Sequence, residues 1–376
     1  MKKPYRIMVW GPGRMGRIAM WEATQSPAFE LVGVRAYNPA KNGSDAGDLL
    51  GVGPLDVKVS TDVDELLKID CDCIVYTAHD KGTFHTDDEI LKLLAAGKNV
   101  VTPLPYQNAN LWREPEFVEK LNAACAQGKS VFHAGGIDPD LISDRVLLGL
   151  TGGSADIKSI KLQEMWDCSF AEEGPLKVVG FGLPPEVGKQ SKITQTIPAN
   201  FLKAIVYTAE KVMGVKYDRV VASHDYITTP VDIHKPFHIP AGTVGRVVHR
   251  MEGFVDAIGP DPLFTIEYNW LIGNSMLPEG VQPGQYYVAT IEGRPSMRMT
   301  IDFKVSHKND DRVYKIGNME VEPSYVATII PVMQAIPHVC AAEPGVLPSF
   351  GPSLHWMLDL RDSVEKARGS VKKSRA

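Results

Sequence analysis

Residues 5–16 read Tyr-Arg-Ile-Met-Val-Trp-Gly-Pro-Gly-Arg-Met-Gly, and residues 17–24 follow as Arg-Ile-Ala-Met-Trp-Glu-Ala-Thr. An apolar run of strand length thus ends in Gly11-x-Gly13-x-x-Gly16, and a helix-forming run begins at once. The glycine triplet is a weak signal alone; a strand before it and a helix after it supply the context its mechanism needs. Gly11 permits the tight turn, Gly13 lets the backbone approach a pyrophosphate, and Gly16 lets the helix pack closely. Free N–H groups and the dipole at the helix start favour phosphate. Gly11, Pro12, Gly13, Arg14, Met15 and Gly16 are therefore expected to hold a dinucleotide, the alternative being a glycine turn without a ligand.

Outward from this turn, strand-like runs at 29–35, 57–59, 73–78, 99–102 and 130–134 alternate with helix-like runs at 61–68, 86–96 and 114–127. Such alternation requires crossover connections and predicts an α/β, doubly wound parallel sheet. Ligands of such sheets lie beyond the carboxyl ends of the strands, which places Thr77, Ala78, His79, Thr102, Pro103 and the run His133–Gly136 at the site. Near Asp138-Pro139 the pattern changes to a helix, with Asp138 as its cap and Pro139 in its first turn. From 157 onward, longer alternating stretches predict a second sheet, interrupted by a helix at 198–213. Helical periodicity returns at 323–340, and the polar tail at 366–376 is expected to fray. The expected units are 1–140, 141–320 and 321–376.

With 376 residues, 44% hydrophobic, the chain is long enough for two domains and a sizeable core. Forty Lys and Arg against 45 Asp and Glu give a net charge of -5, so the electrostatic footprint of a nucleic-acid binder is lacking. No run reaches the roughly 18 to 20 apolar residues of a membrane span, and a cytoplasmic protein is the default expectation. Five scattered cysteines without a C-x-x-C pair point to reduced thiols. In Val34–Asn42 no acid follows the second strand, and the first is Asp45. Arg35, Asn38 and Lys41 would meet a ribose 2′-phosphate without a repelling carboxylate, which favours NADP, with NAD as the alternative.

Gly13-Arg14-Met15-Gly16-Arg17 resembles the turn of dihydrodipicolinate reductases. The segments 37–54, 73–78, 97–102, 135–144, 178–185 and 334–345 resemble the wider dihydrodipicolinate-reductase-like group, which includes 2,4-diaminopentanoate dehydrogenases and native amine dehydrogenases. The resemblance implies an N-terminal Rossmann domain completed by a C-terminal helix, and a substrate domain with a mixed, largely antiparallel sheet. It also implies a homodimer acting on a small-molecule substrate. Two departures stand out. The strand Glu164-Met165-Trp166-Asp167-Cys168-Ser169 lacks the His-His and Lys of the true reductases. The segment Asn99–Gln107 lacks the Glu with which the amine dehydrogenases handle the amine, and no acid occurs before Glu114.

Hydride transfer to C=N or C=O needs a nearby proton donor or charge stabiliser. The candidates are Asp138, His133, Tyr106 and Glu164, with Asp140 and Asp167 as further carboxylates. Trp166, Phe170, Tyr268 and Trp270 suit a pocket wall for a small, largely apolar substrate. Asp232, His234 and His238 lie in a proline-rich stretch that cannot put both histidines on one helical face, so no metal is expected. The expected activity is amine dehydrogenase-like hydride transfer to an imine or carbonyl. The alternatives are ammonia-independent ketone and alcohol chemistry, or a sensor that binds NADP without turnover.

Overall fold

The computed structural model describes residues 3–80, 83–190 and 192–348. The tail read as frayed lies outside these residues. Strands β1 (Tyr5–Trp10), β2 (Phe29–Arg35), β3 (Val59–Ser60), β4 (Cys73–Tyr76), β5 (Val100–Thr102) and β6 (Val131–Ala134) form a parallel sheet in the order β6-β5-β4-β1-β2-β3. All residues of β4, β5 and β6 are buried, as parallel strands covered by helices on both faces require. One covering layer contains α1 (Arg14–Gln25); the other contains the helices Asp87–Ala95 and Pro115–Gly128.

The second unit opens with β7 (Ala155–Asp167) and continues through the long helix Lys192–Met213 to β8 (Arg219–Thr228), β9 (Val244–Phe254), β10 (Phe264–Leu271), β11 (Gln285–Arg294) and β12 (Met297–Asp302). Its six strands lie in the order β12-β11-β7-β10-β9-β8, antiparallel except for β10 beside β7. Period-two alternation sends Leu162, Glu164, Ile266, Tyr268, Tyr287 and Ala289 to one face. That face packs on the helix Lys192–Met213 and the segment Ile137–Leu147. Gln163, Glu267 and Arg250 occupy the opposite face, joined by hydrogen bonds.

After the hairpin β13 (Tyr314–Ile316) and β14 (Met319–Val321), the chain returns to the first unit. The helix Pro323–Val339 lays Ile329, Val332, Met333 and Ile336 into the core beneath α1, and β15 (Gly345–Leu347) extends the parallel sheet beside β6. One helix and one strand of the expected 321–376 unit are thus described. This return brings Glu322 and Tyr325 beside the glycine turn, where Arg14 stacks over the Tyr325 ring at 5.2 Å.

Candidate active site

The glycine turn has the geometry its sequence implies. Gly11 sits at φ +93, where a side chain would be strained, and a Cβ there would approach Ala78 Cα to 2.7 Å. A Cβ on Gly16 would meet the Gly11 carbonyl oxygen at 2.2 Å, so this glycine fixes the approach of α1 to the turn. A Cβ on Gly13, by contrast, would find nothing within 4 Å. Gly13 also caps α1 with no side-chain hydrogen bond, leaving the first-turn N–H groups to be satisfied from outside. The open cradle and the unsatisfied helix start fit a pyrophosphate. Thr77 Oγ1 donates to the Gly11 carbonyl at 2.8 Å, locking the end of β4 to the turn. The Arg14 side chain points to the second unit, donating to Glu172 Oε1 at 3.2 Å and to the Glu320 carbonyl at 2.9 Å.

Beyond β2, Arg35 donates to the Ala36 carbonyl and lies 4.5 Å from the centre of the half-exposed Tyr37 ring. Asn38 caps the turn Pro39–Lys41 by accepting from Ala40 N at 3.0 Å. Asp45, the first acid after the strand, is committed to backbone: its carboxylate accepts from Gly47, Leu55 and Val57 N–H, which lowers its pKa.

At the other end of the cleft, Thr102 is buried, its hydroxyl donating to the Tyr76 carbonyl and accepting from Leu104 N. Ala78 is buried and His79 exposed, while Pro103 lies at the partly open strand end. β6 stops at Ala134, and the segment Ile137–Leu147 winds with the wide i→i+5 pattern, as in the Leu141 N bond to the Gly136 carbonyl at 3.1 Å. Such wide turns concentrate at functional sites.

Asp138, Pro139 and Asp140 carry non-helical angles, so Asp138 does not cap this helix as its sequence position suggested. Neither of its solvent-shielded carboxyl oxygens has a partner in good hydrogen-bond geometry, although the Ser143 and Tyr268 hydroxyls lie near enough to favour its charged form. Burial, and then the nearby Glu164, drive its pKa well above the carboxylate range. Asp140 has no exposure, stands at φ +108 and is paired with Arg145, so it is already neutralised.

Glu164 faces Asp138 from β7. Trp270 Nε1 donates to its Oε2 and the Tyr287 hydroxyl to its Oε1, each at 2.7 Å. Burial raises its pKa, opposed by these two bonds. Both donors are neutral, and among the described residues neither Asp138 nor Glu164 has an ion pair. The Tyr268 hydroxyl likewise has no partner in good hydrogen-bond geometry, yet it lies near enough to Asp138 for each to shift the other's titration through a loose hydrogen bond.

Of two further sequence candidates, Tyr106 is committed elsewhere, whereas His133 is held at Nδ1 and keeps a buried Nε2 without a partner. The Tyr106 hydroxyl donates to Asp87 Oδ1 at 2.5 Å, and its ring is buried among Phe84, Phe117 and Phe132, so it is a core tyrosine. His133 is buried, its Nδ1 bound to the Leu347 carbonyl at 3.2 Å; burial lowers its pKa to about 4 and keeps the ring neutral. Asp167 accepts from Ser169 N at 3.1 Å as the cap of a short turn. His234 and His238 stack at 5.5 Å on a surface loop, and no group of three metal-ligating side chains occurs among the described residues.

A cavity of about 1130 Å³ lies mainly against Gln163, Met165, Asn269 and Val288 on the opposite face of the second sheet, and of the Asp138–Glu164 pair only Glu164 lines it. Its bulk is therefore distinct from the cleft beside Asp138. Sequence reasoning missed Tyr287 and His249, and treated Tyr268 as wall rather than hydroxyl. The alternation of β9, β10 and β11 marks their inward phase, but the strand register that aligns them with Glu164 is a tertiary property.

The uncompensated carboxyl has a measurable cost. Asp138 titrates higher folded than unfolded, so it is neutral in both states well below pH 4, and its drag on stability grows as pH rises from the unfolded pKa towards the folded one. Asp138→Asn cannot ionise and is therefore expected to gain stability relative to the parent between pH 4 and pH 7, by about 1.4 kcal/mol for each unit by which folding raises the pKa. Urea denaturation at the two pH values checks this; equal or lower stability at pH 7 contradicts it.

Comparisons with known proteins agree with this architecture. Residues 5–102 match the family described as dihydrodipicolinate reductase, N-terminus. An amine dehydrogenase of Streptomyces virginiae is 29% identical over 316 residues, 78% of this chain and 84% of that protein. A 2,4-diaminopentanoate dehydrogenase of Acetoanaerobium sticklandii is 22% identical over 94% of this chain and 93% of its own. The structure of an amine dehydrogenase from Mycobacterium smegmatis superposes with a TM-score of 0.74 over 94% of this chain and 97% of that one, at 20% identity, a likeness of fold. No described helix is long and apolar enough to cross a membrane. Residues 5–102 thus match the dihydrodipicolinate reductase N-terminal model, and the chain, similar over most of its length to amine and 2,4-diaminopentanoate dehydrogenases, is an NAD(P)-dependent oxidoreductase.

Proposed function

We propose that the chain is an NADP-preferring amine dehydrogenase-like enzyme, which reduces the imine formed from a small, largely apolar ketone and ammonia, or runs the reverse oxidation. The observation that carries this reading is the half-buried pair Asp138 and Glu164, whose carboxyls are close enough to raise the Asp138 pKa and have no counter-cation among the described residues. An iminium or ammonium group entering between them supplies the missing charge, and Coulomb attraction strengthens as water is excluded. These two side chains take the role of the Glu that the segment Asn99–Gln107 lacks. Nicotinamide supplies the hydride. Thr77, Ala78, Thr102 and Pro103 form the floor that orients the ring, Trp270 and Tyr287 hold Glu164 in place, and Trp166 and Trp270, edge to face at 5.5 Å, wall the apolar side. Asp138, whose oxygens are unpartnered, accepts or returns the proton at the reacting nitrogen.

The preference for NADP rests on Arg35, Asn38 and Lys41 around the end of β2 and on the commitment of Asp45 to backbone amides. Asn38→Asp would place a carboxylate at the 2′-phosphate. It is expected to weaken NADPH about tenfold or more while changing NADH little, a like-charge effect of about 1.4 kcal/mol or greater. Calorimetric titration with both cofactors checks this, and equal losses would move the selectivity elsewhere. A homodimer joined across the polar face that carries Gln163, Glu267 and Arg250 belongs to the same proposal; sedimentation velocity should give one species at twice the chain mass. The overall reading is tested by following NADPH absorbance with small ketones such as cyclohexanone, with and without ammonium. Turnover that requires ammonium supports it, turnover without ammonium makes the enzyme a carbonyl reductase, and binding without turnover makes it a sensor.

A further inference from the structure

Strand register lines up five polar side chains in one row across the inner face of the second sheet. His224 on β8 opposes His249 on β9, His249 opposes Tyr268 on β10, Tyr268 pairs with Glu164 on β7, and Glu164 pairs with Tyr287 on β11. The row begins at the sheet edge, where His224 is half-buried beside the exposed Asp225, and ends at the carboxylates. His224 Nδ1 and His249 Nδ1 are hydrogen-bonded at 2.8 Å. His249 has no exposure and packs among His224, Tyr226 and Trp270. Its other nitrogen, Nε2, and the hydroxyl of the directly opposed Tyr268 are both buried and both without a partner. Two unsatisfied polar atoms on opposed residues are costly for a fold, and neither contributes to packing.

We propose that His224, His249 and Tyr268 form a proton conduit from solvent to Asp138. The inference rests on the reaction being placed at Asp138 and Glu164. Reducing a carbonyl with NADPH to an alcohol consumes one proton, and converting a ketone and ammonium to an alkylammonium and water also consumes one. Either reaction must therefore bring a proton into a buried site. In the conduit His224 takes a proton from solvent at Nε2 and releases the one on Nδ1 to His249 Nδ1. His249 Nε2 and the Tyr268 oxygen are not hydrogen-bonded to each other, so His249 releases its Nε2 proton to a water bridging the two, that water passes one of its own to the Tyr268 oxygen, and Tyr268 releases its own to the Asp138 carboxylate. Each group gains one proton and loses one. Burial, followed by the His224 charge, lowers the His249 pKa to about 3, so His249 passes the proton by changing tautomer and is never left cationic.

The test needs no substrate. Burial raises the Asp138 pKa, and the C=O stretch of a protonated carboxyl shifts on deuteration, so infrared spectra taken at a pH where its band is present time its exchange after dilution into heavy water; loss of the band in Asp138→Asn assigns it. In Tyr268→Phe, His249→Phe and the half-buried His224→Gln the exchange is expected to slow about tenfold or more, with His224→Gln serving if the buried variants fold poorly. Loosened packing would instead speed exchange through local opening, so slowing has the opposite sign to a structural defect. Unchanged or faster exchange in Tyr268→Phe and His224→Gln would overturn the conduit. Failure of the exchange test leaves the reaction assignment standing, and failure of the ketone assay leaves the exchange result standing.

Discussion

In Gly13→Asp, NADPH affinity is expected to fall about a thousandfold while the protein stays folded. The two halves of this expectation have separate causes. Gly13 has an ordinary negative φ, and a side chain there meets nothing within 4 Å, so the substitution introduces neither backbone strain nor an internal clash. The space it fills is the cradle at the start of α1, where a pyrophosphate would sit. A carboxylate about 4 Å from a phosphate at an effective dielectric of 20 costs about 4 kcal/mol, and steric exclusion adds to that. Gly16→Val would be a poor substitute, because its Cβ meets the Gly11 carbonyl and would distort the turn itself. Calorimetric titration alongside a thermal melt separates the outcomes: an unchanged melting temperature with lost binding is expected, and unchanged binding would show that the turn does not hold the cofactor.

Asp138→Asn and Glu164→Gln are each expected to lower kcat for ammonia-dependent ketone reduction about 100-fold to 1000-fold, the usual effect of removing one electrostatic stabiliser from a closed site. Both replacements keep the shape of the side chain and remove its ability to ionise, so the loss reports charge and proton transfer together with, in Glu164→Gln, one lost acceptor. Asp138→Asn should be the more stable protein and the poorer enzyme, since the same unpaired carboxyl weakens the fold and attracts the cation. Glu164→Gln keeps an acceptor for Trp270 or Tyr287 and loses the charge. If both variants retain parental ammonia-dependent turnover, neither carboxylate stabilises the iminium, and the site lies elsewhere in the cleft.

The parallel sheet was legible because local signals agree. The apolar runs of β1, β4 and β5, the glycine turn and the intervening helices all demand the same topology. At Asp138 local and global signals diverge. An Asp-Pro pair before an apolar-periodic run reads as a cap, and only the packing of the Ile137–Leu147 segment against the second sheet leaves that carboxyl unpaired. Tyr106 was misread for a similar reason, since a loop tyrosine near a strand end looks accessible until the Asp87, Phe84 and Arg113 side chains enclose it. Glu164 was visible as a strand carboxylate in a familiar segment. Its alignment with Tyr268, Tyr287 and His249 depends on three strand registers, and one residue of slip in any of them would send those side chains to the opposite face.

The proposed reaction is tested most directly by the fate of nitrogen. With NADPH, a ketone that the enzyme turns over and nitrogen-15 ammonium, mass spectrometry of the product should find a primary amine carrying the heavy isotope, formed mole for mole with NADP. An alcohol as the sole product, formed at the same rate with or without ammonium, would contradict an iminium held between Asp138 and Glu164.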